Sequence, residues 1–321
     1  MSEYPDIQAV RKAYQQIKPY IHVTPVMHSQ SLDDLSGCQV IFKCENFQRT
    51  GAFKMRGAMN AVLNLPDTEA GNGVITHSSG NHAAALARAA GIDGIPCHIV
   101  MPDDAPSIKQ SAVTAYGAKI TFCEPSMSAR ETTVNRLIDE IGMHLVHPYD
   151  DHDVIAGQGT VTLEFLQQVQ SLDALLVPVG GGGLISGAAI VAHAQNANID
   201  VIGVEPEQVD DACRSLRDGI RYPATGKPTI ADGLRAGIGE MNFTIVQQHV
   251  RQIVTVSEEE IVQALKLIWE RLKIVIEPSA AVPFAALISS KIPQNYKTVG
   301  VILSGGNIDT VGLVDSLPKV V

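Results

Sequence analysis

Aromatic side chains and cations are the scarce components of this sequence. It has one tryptophan, seven phenylalanines and seven tyrosines in 321 residues, and 24 Lys plus Arg against 34 Asp plus Glu. With a net charge of -10 and no Lys/Arg run, it is a poor partner for nucleic acid or an anionic membrane surface. Any anionic ligand has to be met by local donors. No apolar stretch approaches the ~20 residues that span a bilayer, and "MSEYPDIQAV" lacks the basic and apolar regions of a secretory signal. Cys38, Cys44, Cys97, Cys123 and Cys213 are scattered and never form CxxC, so neither a disulfide framework nor a thiolate zinc site is expected. Free thiols in a reducing cytoplasm are the expectation instead. There is no HExxH pair and no GxSxG elbow, which argues against the common zinc and serine hydrolases. Internal repeats and low-complexity segments are missing as well.

What is present suits a chain with a sizeable core: 45% of residues are hydrophobic and 18% charged. From residue 73 short β-rich runs, "GVITHSSGN", "CHIVMP", "KITFCEP" and "HLVHPY", start near 74, 97, 119 and 144. Helical stretches lie between them; in "SARETTVNRLIDEIG" Val134, Leu137, Ile138 and Ile141 keep the 3.6-residue period. The alternation predicts a parallel sheet covered by helices. It restarts after a boundary near 148 to 152, with helices over "VIAGQGTVTLEFLQQV", "LISGAAIVAHA" and "SEEEIVQALKLIWERL" and strands over "DALLVPVG", "VIGVEPE" and "TVGVILSGGN". Ser257 and Glu260 spell a capping box. Residues 206–250 read as mostly loop with short helices. The fold class is α/β, in two successive units, and the segment before residue 72 must join one of them.

Four stretches carry chemistry. In "ENFQRTGAFKMRG" Lys54 follows Phe53 at the head of a predicted helix, where the macrodipole disfavours a cation. A lysine held covalently by a ligand would resolve that conflict. Gly180 to Gly183 follow a buried strand and open a helix, which exposes backbone N–H groups as a phosphate cradle. A tight turn needs fewer glycines. The same turn, with Ser186, Gly187 and Glu205, loosely matches the dinucleotide fingerprint, so a nicotinamide oxidoreductase remains open at this point. Ser78, Ser79 and Asn81 sit between a strand and a helix, either as a carboxylate seat or as helix caps. Ser304 ends another strand in "LSGGN". Ligands of parallel sheets bind at the carboxyl ends of strands, so the glycine turns could share one site. Finally, "GVEPEQVDD" gathers Glu205, Glu207, Asp210 and Asp211, which suits Mg²⁺ or Ca²⁺ or a solvated acidic loop.

In this order and spacing, "TGAFKMRGA", "SSGNHA", "GGGGLISG" and "SGGN" resemble the fold-type II pyridoxal-phosphate (PLP) enzymes of the tryptophan synthase β-like kind. Within that group they look like the serine racemase and serine/threonine dehydratase family, from "HVTPV" to "SGGNID". The resemblance implies two parallel-sheet α/β domains: a large PLP-binding one from 1–72 and 149–321, and a small mobile one from 73–148. It implies that Lys54 carries PLP as a Schiff base and removes the substrate α-proton. Phe53 would pack near the cofactor, Asn81 would bond its phenolic oxygen, and Gly180, Gly181, Gly182 and Gly183 would hold its phosphate. Ser304 would meet the pyridine nitrogen without keeping it protonated, which favours prompt loss of a β-hydroxyl.

The implied activity is an ammonia-lyase (dehydratase) for a small β-hydroxy amino acid: serine, threonine or threo-3-hydroxyaspartate. The products are a 2-oxo acid and ammonia. Ser79 stands where racemases of this family carry an acid/base on the opposite face, so racemase activity, or serine racemase as the main activity, is the alternative. Ser78, Ser79, Asn81 and His82 are expected at the substrate, with Arg130 or Arg235 for a second carboxylate. Ala236 replaces a serine that some members have near the substrate carboxylate. The racemase-like pattern also implies a divalent cation (Mg²⁺, Ca²⁺ or Mn²⁺) held by Glu205, the carbonyl of Val209 and Asp211. A homodimer is expected because the family usually forms one, and no regulatory domain is expected after "SGGNID".

Overall fold

The structure, a computed structural model, describes residues 4–309 apart from 79 and 106. Two sheets organise it. The larger has six strands in the order β1-β2-β10-β7-β8-β9. These are β1 (Val26–Met27), β2 (Gln39–Cys44), β7 (Ala174–Pro178), β8 (Asp200–Pro206), β9 (Gln252–Val256) and β10 (Thr298–Leu303). Only the short β1 runs antiparallel. The smaller sheet is wholly parallel, in the order β5-β4-β3-β6, from β3 (Val74–His77), β4 (Cys97–Pro102), β5 (Lys119–Cys123) and β6 (His144–Leu145). All four of its strands come from the middle of the chain. The early segment contributes to the other sheet, because β2 pairs in full register with β10, from Gln39 opposite Thr298 to Cys44 opposite Leu303.

The helices cover these sheets as parallel strands require, since both faces are buried. Before the small sheet come α1 (Ile7–Ile17), α2 (Gln30–Ser36), α3 (Lys54–Leu63) and the one-turn α4 (Asp67–Ala70). Around it lie α5 (Asn81–Asp93), α6 (Ser107–Ala115) and α7 (Met127–Ile141). The rest are α8 (His152–Gln168), α9 (Gly183–Gln195), α10 (Asp211–Asp218), α11 (Glu240–His249), α12 (Glu258–Leu272) and α13 (Pro278–Ile288). The Ser257–Glu260 capping box forms with both of its hydrogen bonds and starts α12. In the large core Phe42 of β2 meets Phe284 of α13 edge to face, with centroids 5.3 Å apart. A second core joins the small sheet to α3, α5 and α8: Met55, Ala58 and Met59 of α3 pack with Ala83, Leu86 and Ala87 of α5, Val74 of β3, Ile99 of β4 and Val154 of α8. The helix headed by Lys54 is therefore clamped between α5 and α8 rather than laid on a surface.

The segment 206–250 holds two full helices, α10 and α11, joined by a loop. No helix among the described residues is long and apolar enough to cross a membrane.

Candidate active site

Lys54 opens α3 directly after a strained corner. Thr50 and Gly51 both have positive φ, 61° and 72°. A Cβ on Gly51 would lie 2.3 Å from Asn307 Oδ1, so only glycine fits there. Ala52 then bridges to Gly305, and the Phe53 N–H donates to the Ser304 carbonyl at 3.0 Å. The corner is thus pinned to the carboxyl end of β10. The half-buried Lys54 sends its Nζ to the Pro148 carbonyl at 2.6 Å, 5.2 Å from the Phe53 ring centre. Burial lowers its ammonium pKa to about 8. A cation enclosed at a helix start gives up its proton readily, and the neutral amine is a nucleophile and base near neutral pH.

A polar chain runs from that corner to α5 and α13. Asn307 Nδ2 donates to the Thr50 carbonyl (2.6 Å) and to Asn81 Oδ1 (2.9 Å). Asn81 Nδ2 in turn donates to both carboxylate oxygens of the buried Glu277, at 2.9 and 3.1 Å. Asn81 therefore does not cap its own helix; α5 begins at Asn81 after Gly80, with no side-chain cap. Ser78 Oγ accepts from the Gly80 N–H at 3.3 Å, and Ser79 lies outside the described residues. His82 is buried, with Nε2 3.3 Å from the Val146 carbonyl and no partner for Nδ1. Burial, then the Lys54 charge, hold its pKa well below the usual histidine range, so the ring is neutral. Ser304, also buried, ends β10 beside these groups.

The glycine turn meets Lys54 through the segment 147–150. Gly181 lies flat against the Tyr149 ring, since a Cβ there would come within 2.2–2.4 Å of three ring atoms. Gly182 has φ 94°, which glycine alone adopts without strain, and it forms the N-cap of α9. Tyr149 follows Pro148, the acceptor of Lys54. Its ring stands edge-on to His147 with centroids 4.6 Å apart, and His147 approaches His77 at 5.6 Å. His147 Nδ1 accepts from the Asp150 N–H at 2.9 Å, and burial lowers its pKa to about 4. Burial raises the Tyr149 phenol to about 12, so both side chains are uncharged at neutral pH.

Three strand ends thus meet around Lys54: β10 with Ser304, β3 with Ser78 and then Asn81 and His82 of α5, and β7 with the glycines. Of the two arginines expected to meet a second carboxylate, Arg130 on α7 is half-buried and its Nε has no partner; burial lowers the pKa of His77 at the end of β3, with the Glu131 charge opposing and the Arg130 charge adding to that shift. Arg235 is exposed and donates to the Thr229 carbonyl at 2.9 Å. Pro148, Tyr149, His147 and Glu277 were not foreseen. The short runs "HPYD" and "IEPS" that carry them have no periodicity, and their partners lie 94 and 196 residues away.

The acidic loop forms a separate cluster. Glu205 and Asp211 are each 1% exposed. Glu205 accepts from the Ala212 and Cys213 N–H groups at 3.2 and 2.7 Å, and Asp211 from the Ile238 N–H at 3.0 Å. Burial raises both pKa values, and Asp211 raises that of Glu205 further. Two buried like charges fit a hard cation, with Val209, equally buried, between them in sequence. Among the described residues no three His, Cys, Asp or Glu side chains gather in a metal-binding group, so a cation here would also need carbonyl or water oxygens.

Comparison with known proteins agrees with this geometry. Residues 17–305 match the pyridoxal-phosphate dependent enzyme family. The chain belongs to that family. Among its members a beta-hydroxyaspartate dehydratase of Paracoccus denitrificans is 48% identical over 314 residues, covering 98% of each chain. A serine racemase of Arabidopsis thaliana is 48% identical over 318 residues, covering 97% of this chain and 96% of its own. The structure of maize serine racemase superposes with a TM-score of 0.94 at 43% identity, covering 97% and 96% of the two chains. The α/β class and the PLP family expected from the sequence are borne out. The nicotinamide alternative has no support left. The residues present also fit the cofactor: an enclosed lysine amine with a lowered pKa, a turn of four glycines in which Gly181 and Gly182 leave no room for a side chain, and a buried serine hydroxyl at the end of the intervening strand.

Proposed function

We propose that this PLP-dependent enzyme is an ammonia-lyase that removes the β-hydroxyl and then the amino group of a small β-hydroxy amino acid, releasing a 2-oxo acid and ammonia. The observation that carries the reading is the Lys54 amine, enclosed beside the strand ends with a pKa near 8. Bound PLP supplies an electron sink for the charge left on the substrate α-carbon. Phe53 and Lys54 would adjoin the cofactor, the Gly180 to Gly183 turn would hold its phosphate, Asn81 would meet its ring oxygen and Ser304 its ring nitrogen. Lys54 takes the α-proton on one face, and Ser79 is the acid/base on the other. Ser78, Asn81 and His82 hold the α-carboxylate.

Among serine, threonine and threo-3-hydroxyaspartate, the half-buried Arg130 with its unpartnered Nε supports a dicarboxylic substrate. Arg235 is the weaker candidate because the Thr229 carbonyl already engages it. The kinship with both a dehydratase and a racemase supports a second reading, serine racemase as the main activity. A divalent cation at Glu205, Val209 and Asp211 is part of the proposal, resting on the two buried carboxylates. So is a small mobile domain of 73–148 over a larger one of 1–72 and 149–321, supported by the sheet confined to that span. A homodimer is supported by the exposed Val23, Phe47 and Val275; Asn46, next to Phe47, donates to the Val275 carbonyl. A reducing cytoplasm is supported by five free cysteines.

The test is a substrate panel on the PLP-loaded protein with and without Mg²⁺: both serine enantiomers, L-threonine, and threo- and erythro-3-hydroxyaspartate. Oxo-acid release and chiral analysis are read together. Fast oxo acid from threo-3-hydroxyaspartate, cut about 10²-fold by Arg130→Ala while serine turnover changes little, is expected. Dominant interconversion of the serine enantiomers would replace this reading by the racemase.

A further inference from the structure

Asn242, in the first turn of α11, is fully buried and faces the glycine turn. Its Nδ2 donates to the Tyr149 carbonyl at 2.9 Å and to the Gly181 carbonyl at 3.0 Å, and lies 3.3 Å from Asp150 Oδ1. The Gly181 carbonyl also receives the Gly239 N–H at 3.1 Å. In a planar trans peptide the carbonyl and the following N–H point in opposite directions. Two donors fixed on the Gly181 carbonyl therefore turn the Gly182 N–H away from α11, to the open side of the turn. Asn242 also closes against Gly182 itself, where an added Cβ would lie 2.7 Å from the asparagine Cβ. One amide thus joins the glycine turn to the segment that accepts the Lys54 hydrogen bond. Its own Oδ1 is buried without a donor, a cost that an apolar residue of the same volume would not incur.

We infer that Asn242 is the positioning residue of the phosphate cradle. It holds the Gly181 carbonyl so that the Gly182 N–H faces the cofactor phosphate, and it fixes the cradle relative to Lys54. The inference rests on PLP binding at Lys54. It is tested by titrating PLP, and separately pyridoxal, into the cofactor-free full chain, following the visible absorbance of cofactor joined to Lys54. Pyridoxal has the same aldehyde but no phosphate, so a general loosening of the fold would weaken both ligands alike. Asn242→Leu is expected to weaken PLP about 10- to 100-fold and pyridoxal less than about threefold. Asn242→Ser, smaller and with one donor left, is expected to shift the ratio the same way by less, and it decides the matter alone if the leucine variant does not fold. Equal losses for the two ligands, or no loss for either, would overturn the inference. Failure of the unsubstituted chain to take up either ligand would overturn the cofactor reading and this inference with it, and is told apart because it needs no variant.

Discussion

Replacing Arg56 by methionine removes the centre of a dry ionic network two residues beyond Lys54. The guanidinium, fully buried, reaches Glu45 through Nε and Nη2, both at 2.8 Å, and Glu164 through Nη2 at 2.9 Å and Nη1 at 3.3 Å. Lys43 Nζ meets the same Glu164 at 2.6 Å. Two cations and two carboxylates balance; without Arg56 two carboxylates share one ammonium in a space closed to solvent. Methionine fills most of the volume, so the loss is electrostatic, about 3–5 kcal/mol. At about 2–4 °C per kcal/mol the melting temperature should fall by about 6–20 °C.

The pH dependence gives a second check. Burial pushes the Glu164 carboxyl up, but Arg56 and Lys43 outweigh it and hold the pKa below the usual value. A lowered folded pKa contributes stability at neutral pH that is lost as pH falls through it. In the variant the pKa of Glu164 rises instead, so acidification relieves its cost. The gap between the two proteins should therefore be widest at neutral pH and narrow toward pH ~4. Calorimetry on cofactor-free protein across that range measures it. A gap below about 1 kcal/mol, as for a solvent-exposed pair, or one that widens in acid, would refute the argument.

Other consequences are quicker to check. The neutral Lys54 amine is the form that captures PLP, so the capture rate should climb with pH and level off above about 8, the value set by burial; a rate flat from pH 6 to 9 would contradict the buried-amine reading. Lys54→Ala should fold, show no bound visible chromophore and lose at least about 10³-fold in activity. Since it removes a desolvated cation, its cofactor-free form should melt no lower than the parent at pH 7. Gly181→Ala drives a methyl into the Tyr149 ring and should weaken PLP by about tenfold or more, read by absorbance titration. If Glu205 and Asp211 hold a cation, Mg²⁺ or Ca²⁺ should raise the melting temperature of the parent and not of Glu205→Gln; an equal rise in both would place the ion elsewhere.

Much of the α/β pattern was legible because local signals sufficed. The runs beginning near 74, 97, 119 and 144 became β3 to β6, and the Ser257–Glu260 pair capped α12. Each depends on side-chain period or a contact across a few residues. The strand β2 was harder to see, since "QVIFKC" places Lys43 inside, where Glu164 and Gln168, 121 and 125 residues away, and the Thr24 carbonyl make a cation tolerable. Strand β9 likewise owes its place to pairing with β8.

By itself the sequence determined the class of fold, the family, and the residue types the chemistry needs: one lysine before a helix, four glycines after a strand, a serine and asparagine pair at another strand end. The fold class and the residue types follow from spacing and from the backbone freedom of glycine, which are properties of the chain alone, and the family follows from the resemblance of four motifs to known enzymes. Only the tertiary structure decided that Lys54 rests on Pro148, that Asn81 turns to Glu277 instead of capping its helix, and that Tyr149 and Asn242 shape the glycine turn. Such pairings join residues far apart in the chain. They form because burial leaves each polar group a choice among the few partners the packed sheets bring near, and no local pattern encodes that choice.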